Sequence, residues 1–237
     1  MNYSINFFLA CLVLIISGCN NPTESSNEKL DITEDIDINV KDKNIPSKQK
    51  IEEEFKLTDE NVIDFLFEYE KNNKENKVRI YTNFGNIEIL LFLNTPYHRS
   101  NFIYLTKNKY FEGTQFYRVV NDFVIQAGNS DNRKISLKRQ RIGKYLLPND
   151  FNKGHTHKRG MVSMPSSSID NPYKMASPYE FFIVQKKDGA HHLDGNYTIF
   201  GTVINGMEIV DIIADLPTDE RDWPLNNVYI NKIEIIN

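Results

Sequence analysis

The sequence predicts a mainly β fold, a closed barrel capped at its ends by two α-helices. Three observations carry this. Short runs rich in β-branched and aromatic residues recur at modest spacing from Lys77 to the C-terminus. Turn residues separate these runs. Only two isolated amphipathic helix patterns interrupt them, one opening at Thr95 and one over 205–216. Many short strands with isolated helices are the pattern of a closed antiparallel barrel.

The N-terminus precedes that pattern and reads differently. Phe7 to Ile16 is an apolar run of about ten residues, too short to span a bilayer and the length of a signal-peptide core. It ends in Ile16-Ser17-Gly18-Cys19, which resembles a bacterial lipobox, in which the cysteine becomes the lipidated first residue. No Lys or Arg precedes the run, so an ordinary cleaved signal and an uncleaved anchor remain as other readings. Cys11 and Cys19 are the 2 cysteines. A chain starting at Cys19 has no second thiol to pair with.

Residues 20–56 hold ten acidic and six basic residues, a net of −4 that equals the formal charge of the whole chain. With no aromatic before Phe55, the segment has too little apolar surface to offset chain entropy and is expected to be a flexible tether. The remainder is neutral, and a neutral domain argues against a nucleic-acid partner, which calls for a basic stripe. Thr58 then serves as an expected N-cap, with Leu57 against Val62 as a hydrophobic staple. The helix it opens carries an apolar face through Tyr69 and runs to about Lys71.

From Lys77 the period changes. "KVRIYT" and "NIEILLFL" flank Asn83-Phe84-Gly85, a hairpin signal. Thr95-Pro96 reads as N-cap and first helical residue, with Phe102 and Leu105 on one face. Strands are expected at 114–120 and 123–128, joined by the turn dipeptide Asn121-Asp122, and a long loop then runs to about 158. Further strands follow at 160–164, 180–185 and 197–203, then the helix "NGMEIVDIIADL" and a last strand in "NVYINKIEII". The organisation expected is a signal peptide (1–18), an acidic tether (19–56), a helical extension (57–76) and a barrel domain (77–237).

Chemistry concentrates in "FYRVVNDFVIQAG", where Arg118 and Gln126 sit in an apolar, aromatic run. An arginine there is costly unless it is paired or used. Folding back at Asn121-Asp122 puts Arg118 on one face with Val124 and Gln126. Four blocks then occur in order: "YFEGTQFYRVVNDFVIQAG", "HKRGMVSM", "EFFIV" and "HLDGNYTIFGTVINGMEIVDII". Together they resemble the cyclophilin family of peptidyl-prolyl cis-trans isomerases over about residues 78–237.

The resemblance implies an eight-stranded antiparallel barrel and a catalytic Arg118. Phe123, Val124, Phe182 and Leu193 would line a socket for proline, Tyr197 would close one side, and Gln126 would hold the substrate backbone. Several positions depart from the family pattern. Val124 replaces a methionine, and Pro165-Ser166 replaces an alanine-asparagine pair. Glu180 replaces a glutamine, a charge expected to disfavour acidic peptides. Ser177-Pro178-Tyr179-Glu180 replaces a Gly-rich stretch. His192 stands where cyclosporin-sensitive members have tryptophan, so weak inhibition by cyclosporin is expected.

The expected activity needs no cofactor, no metal and no nucleophile. The expected partners are proline-containing segments of unfolded or exported proteins, and a membrane reached through a lipid on Cys19. The domain is expected to be a monomer in the bacterial cell envelope facing the periplasm, with the outer membrane favoured over the inner because Asn20, not an aspartate, follows the cysteine. Two other readings stand beside this one. A barrel with altered loops at 165–180 would bind proline segments with little or no turnover. A metal-handling protein would use His155, His157, His191 and His192, although adjacent histidines on a strand face opposite sides.

Overall fold

The structure, a computed structural model, describes residues 55–150, 152–166 and 170–236. The expected signal peptide, Cys19 and the tether up to residue 54 lie outside the described residues.

The described chain opens with β1 (Leu57–Thr58) and α1 (Val62–Asn72). The expected helix therefore starts later than Thr58. Leu57 and Thr58 pair instead with Gly143 and Lys144 of β6 (Gly143–Lys144), and Leu57 is fully buried. Gly143 makes this approach possible: it lies at φ +139, and a Cβ there would fall 1.9 Å from the Leu57 carbonyl oxygen.

Eight strands form one antiparallel sheet: β2 (Lys77–Thr82), β3 (Gly85–Leu91), β4 (Gln115–Val120), β5 (Val124–Asn129), β7 (Met161–Ser163), β8 (Phe181–Val184), β9 (Ile199–Asn205) and β10 (Lys232–Ile235). Their order is β10-β2-β3-β9-β7-β8-β5-β4. The alternation read from the sequence is visible in β2, where Val78 and Ile80 are fully buried and their neighbours are not.

Of the expected barrel the structure gives a curled eight-stranded sheet, a half-barrel whose regular ladder ends at β4 and β10. Across that gap runs the irregular segment ahead of β10. Gln115 and Tyr229 form a bridge there, supported by Gly113 N–H to Ile230 O at 2.9 Å and Phe116 N–H to Val228 O at 2.9 Å.

Besides α1 there are α2 (Pro96–Lys107), α3 (Arg133–Ile142) and α4 (Met207–Ala214). Helices α2 and α4 match the two expected caps, with Pro96 in the first turn of α2. Helix α3 lies where a loop was expected. Asn132 caps it by accepting the Lys134 N–H, Ile135 anchors it, and Lys138 Nζ reaches the carbonyls of Lys109 (2.8 Å) and Glu112 (2.9 Å). The main core gathers Phe102, Phe111, Phe116, Phe181 and Phe200, whose rings meet at 4.8–6.4 Å between centroids.

Candidate active site

A second, smaller apolar cluster stands apart from that core. Val124, Phe182, Val184 and Ala190 form it, with Phe123, Met161, Leu193 and Tyr197 packed against them. Its position follows from strand register. Arg118 pairs with Gln126, Gln126 with Phe182, and Phe182 with Ser163, so one row of residues crosses β4, β5, β8 and β7. Val124, two residues from Gln126, shares its face and pairs with Val184.

The β4–β5 turn positions Phe123. Asp122 takes the left-handed conformation at φ 54, and its N–H bonds the Asn121 side chain at 2.8 Å. Within β4 the register shifts between Phe116 and Arg118, so Tyr117 is an extra residue, a β-bulge. The bulge brings the Tyr117 hydroxyl to the side-chain amide of Gln126, which donates to it.

Arg118, Phe123, Val124, Gln126, Pro165, Phe182, Leu193 and Tyr197 surround one cavity of about 290 Å³, together with Ser166. Of the expected pocket residues only His192 stands outside. It is exposed and stacks on Phe123 at 5.4 Å, a rim position. Phe182 and Tyr197 meet edge to face at 5.8 Å and form two walls of the socket.

Arg118 is 38% exposed, and its Nε lies 3.3 Å from Asp222 Oδ2. It has no other partner among the described residues, so the two terminal guanidinium nitrogens remain available beside the cavity. Asp222 was not foreseen. It lies more than a hundred residues away in sequence, and no local pattern marks it.

Glu180 turns inward rather than presenting its charge to the groove. Its carboxylate accepts from Tyr117 Oη at 2.9 Å and meets Arg139 Nη2 of α3 at 3.4 Å. Burial first, and the Glu180 charge second, raise the Tyr117 hydroxyl pKa well above its ordinary value, so this hydroxyl keeps its proton.

Behind Phe182 stands His157, parallel to it at 5.9 Å and fully buried. Asp194 Oδ1 accepts from the His157 backbone N–H and holds Nδ1, both at 2.7 Å, and Nε2 lies 3.2 Å from Ser163 Oγ. Burial lowers the His157 pKa, which keeps the ring neutral at pH 7. Asp194 Oδ2 also meets His191 Nδ1 at 3.1 Å, which ties down the short turn carrying Leu193. His155 is engaged elsewhere, stacked on Phe92 at 4.2 Å.

An antiparallel curled sheet carrying an apolar socket beside an arginine is a concave site with the apolar lining and sparse polar groups of a small-ligand pocket. The family model described as "Cyclophilin type peptidyl-prolyl cis-trans isomerase/CLD" matches residues 77–235, and the chain belongs to this family of isomerases. A peptidyl-prolyl cis-trans isomerase of Acinetobacter baylyi is 35% identical over 166 residues, covering 67% of this chain and 84% of that protein. The peptidyl-prolyl cis-trans isomerase-like 2 of Rhizopus delemar is 33% identical over 171 residues, and the match spans 71% of this chain but only 30% of that longer protein. Among solved structures, a cyclophilin-type isomerase of Cryptosporidium parvum superposes with a TM-score of 0.58 at 27% identity, covering 69% of this chain and 98% of that one. A second crystal structure of that protein, in the presence of the dipeptide Ala-Pro, gives a TM-score of 0.57.

Proposed function

We propose that the chain accelerates cis-trans isomerisation of X-Pro bonds with Arg118 as its catalytic residue, acting on proline-containing segments of exported proteins from a lipid anchor on Cys19 in the bacterial cell envelope. The observation that carries the reading is the placing of Arg118, with two guanidinium nitrogens uncommitted, on the edge of a socket walled by Phe182, Leu193 and Tyr197. A cavity of about 290 Å³ suits a small apolar ring such as proline, and the presence of Ala-Pro in the related crystal supports the same ligand class.

Amide rotation has a barrier of about 18–20 kcal/mol because resonance makes the C–N bond partly double. In the twisted transition state that resonance is lost and the prolyl nitrogen becomes pyramidal and basic. A guanidinium N–H aimed at this nitrogen bonds the transition state more strongly than the planar ground state, and that difference lowers the barrier. No bond to the protein forms or breaks.

The test is a proline-isomerisation assay on residues 55–237 with a panel of X-Pro peptides. The domain accelerates exchange above background, and Arg118→Ala reduces kcat/KM by roughly 100-fold, the loss seen when one transition-state donor is removed. A wild-type domain that binds these peptides with no rate above background would make it a proline-binding module on the same fold.

A further inference from the structure

We propose that Tyr117, Glu180 and Arg139 are positioning residues that fix which end of the Gln126 amide faces the substrate, so that the site recognises a backbone N–H flanking the proline. The inference rests on the isomerase-type site described above and deepens it.

The argument follows from which groups can donate. An ionised carboxylate only accepts hydrogen bonds. Glu180 faces the Arg139 guanidinium, whose Nη2 lies 3.4 Å from Oε1. Tyr117 Oη, 2.9 Å from Glu180 Oε2, must therefore give its proton to the carboxylate. Its oxygen is then left only to accept, and the Gln126 atom against it must be the NH2 group. Gln126 Oε1 is thereby turned toward the cavity that its side chain lines.

Arg139 is itself locked. Its Nε donates to Tyr110 Oη at 2.7 Å, Nη2 donates to Gly128 O at 3.2 Å, and the guanidinium lies over the Tyr179 ring at 5.1 Å. The polarity of the whole chain of bonds thus starts in α3 and ends at the groove.

The consequence is a pair of opposite demands on the ligand. Arg118 offers donors, which suit a carbonyl oxygen or the prolyl nitrogen. Gln126 offers an acceptor, which suits an N–H. Proline has no N–H of its own, so the matching donor belongs to a residue flanking it. With glutamine at 180 the order would not be enforced, because an amide both donates and accepts and lets Tyr117 and Gln126 reverse together.

The experiment compares X-Pro peptides with depsipeptides in which each flanking N–H is replaced in turn by an ester oxygen. Affinity is read by calorimetry, and turnover by the isomerisation assay, on wild type, Glu180→Gln and Tyr117→Phe. One ester replacement should weaken binding to wild type by roughly tenfold, about the worth of one buried hydrogen bond. The same replacement should cost Glu180→Gln and Tyr117→Phe less than twofold, and the double variant should add nothing to either single one. Wild type indifferent to every ester, or variants that keep the full amide preference, would overturn the proposal. Because the preference is read in binding, a chain that binds peptides without isomerising them refutes the catalytic reading and still tests this one.

Discussion

Asp222 holds Arg118 by its Nε, at 3.3 Å. The same residue is tied to the strand it serves, since its carbonyl accepts the Val119 N–H at 2.8 Å. Its backbone sits in the left-handed region at φ 63, which Asn also tolerates, so Asp222→Asn isolates the charge. Both side chains are more than a third exposed, and the pair adds less than about 1 kcal/mol to stability. Its effect should appear in catalysis. Asp222→Asn is expected to lower kcat/KM roughly fivefold, the ratio that about 1 kcal/mol of lost orientation gives, with an unchanged melting temperature. A variant as fast as wild type would show that Asp222 is a bystander.

Arg99 and Glu70 join α2 to the N-terminal extension. Arg99 is fully buried; its Nη2 donates to Glu70 Oε1 at 2.8 Å, and its Nη1 to the carbonyls of Asn73 (2.8 Å) and Glu75 (3.1 Å). All three partners precede residue 77. A buried guanidinium that loses its counter-charge is strongly unfavourable, so Glu70→Gln should cost about 2–4 kcal/mol in urea unfolding. Glu68, which pairs with Lys71 in solvent at 2.6 Å, is the control, and Glu68→Gln should cost less than about 0.5 kcal/mol. Equal midpoints for the two variants would mean that the extension does not stabilise the domain.

What the sequence revealed divides along local and non-local lines. All eight sheet strands follow apolar alternation or β-branched runs between turn residues, and the cavity residues lie in the motif blocks except Pro165 and Ser166, which directly follow the second block. Helix α3 escaped because five cations and no acid in ten residues read as solvated loop, whereas its stability comes from the Asn132 cap and the burial of Ile135. The start of α1 was misplaced because Leu57 is drawn into a strand pair by Gly143, far along the chain. Tyr117 and Glu180 are brought to their contacts by a bulge and by α3, and Asp222 reaches Arg118 through the return of the chain beside β4. None of these leaves a periodic trace. His192, expected in the pocket, sits on its rim, stacked on Phe123.

His98 gives the chain a pH-dependent stability. It lies in α2, fully buried, 6.3 Å from Phe200, and neither ring nitrogen has a partner among the described residues. Burial pushes its pKa down to about 3, against about 6.5 in an unfolded chain. Below pH 6.5 or so the unfolded chain takes up a proton that the folded state refuses, so stability falls as pH falls, down to about pH 3. The slope is about 1.4 kcal/mol per pH unit, or roughly 2 kcal/mol between pH 7 and pH 5. His155 and His157, also lowered by burial, act in the same direction, so the informative quantity is the difference between wild type and His98→Leu. Leucine fills similar space without unpartnered nitrogens, and the variant should be more stable than wild type at pH 7 by about 1 kcal/mol. That advantage should grow by about 2 kcal/mol at pH 5. Urea unfolding at the two pH values measures it, and an advantage that stays constant from pH 7 to pH 5 would show that His98 gains its proton as readily folded as unfolded.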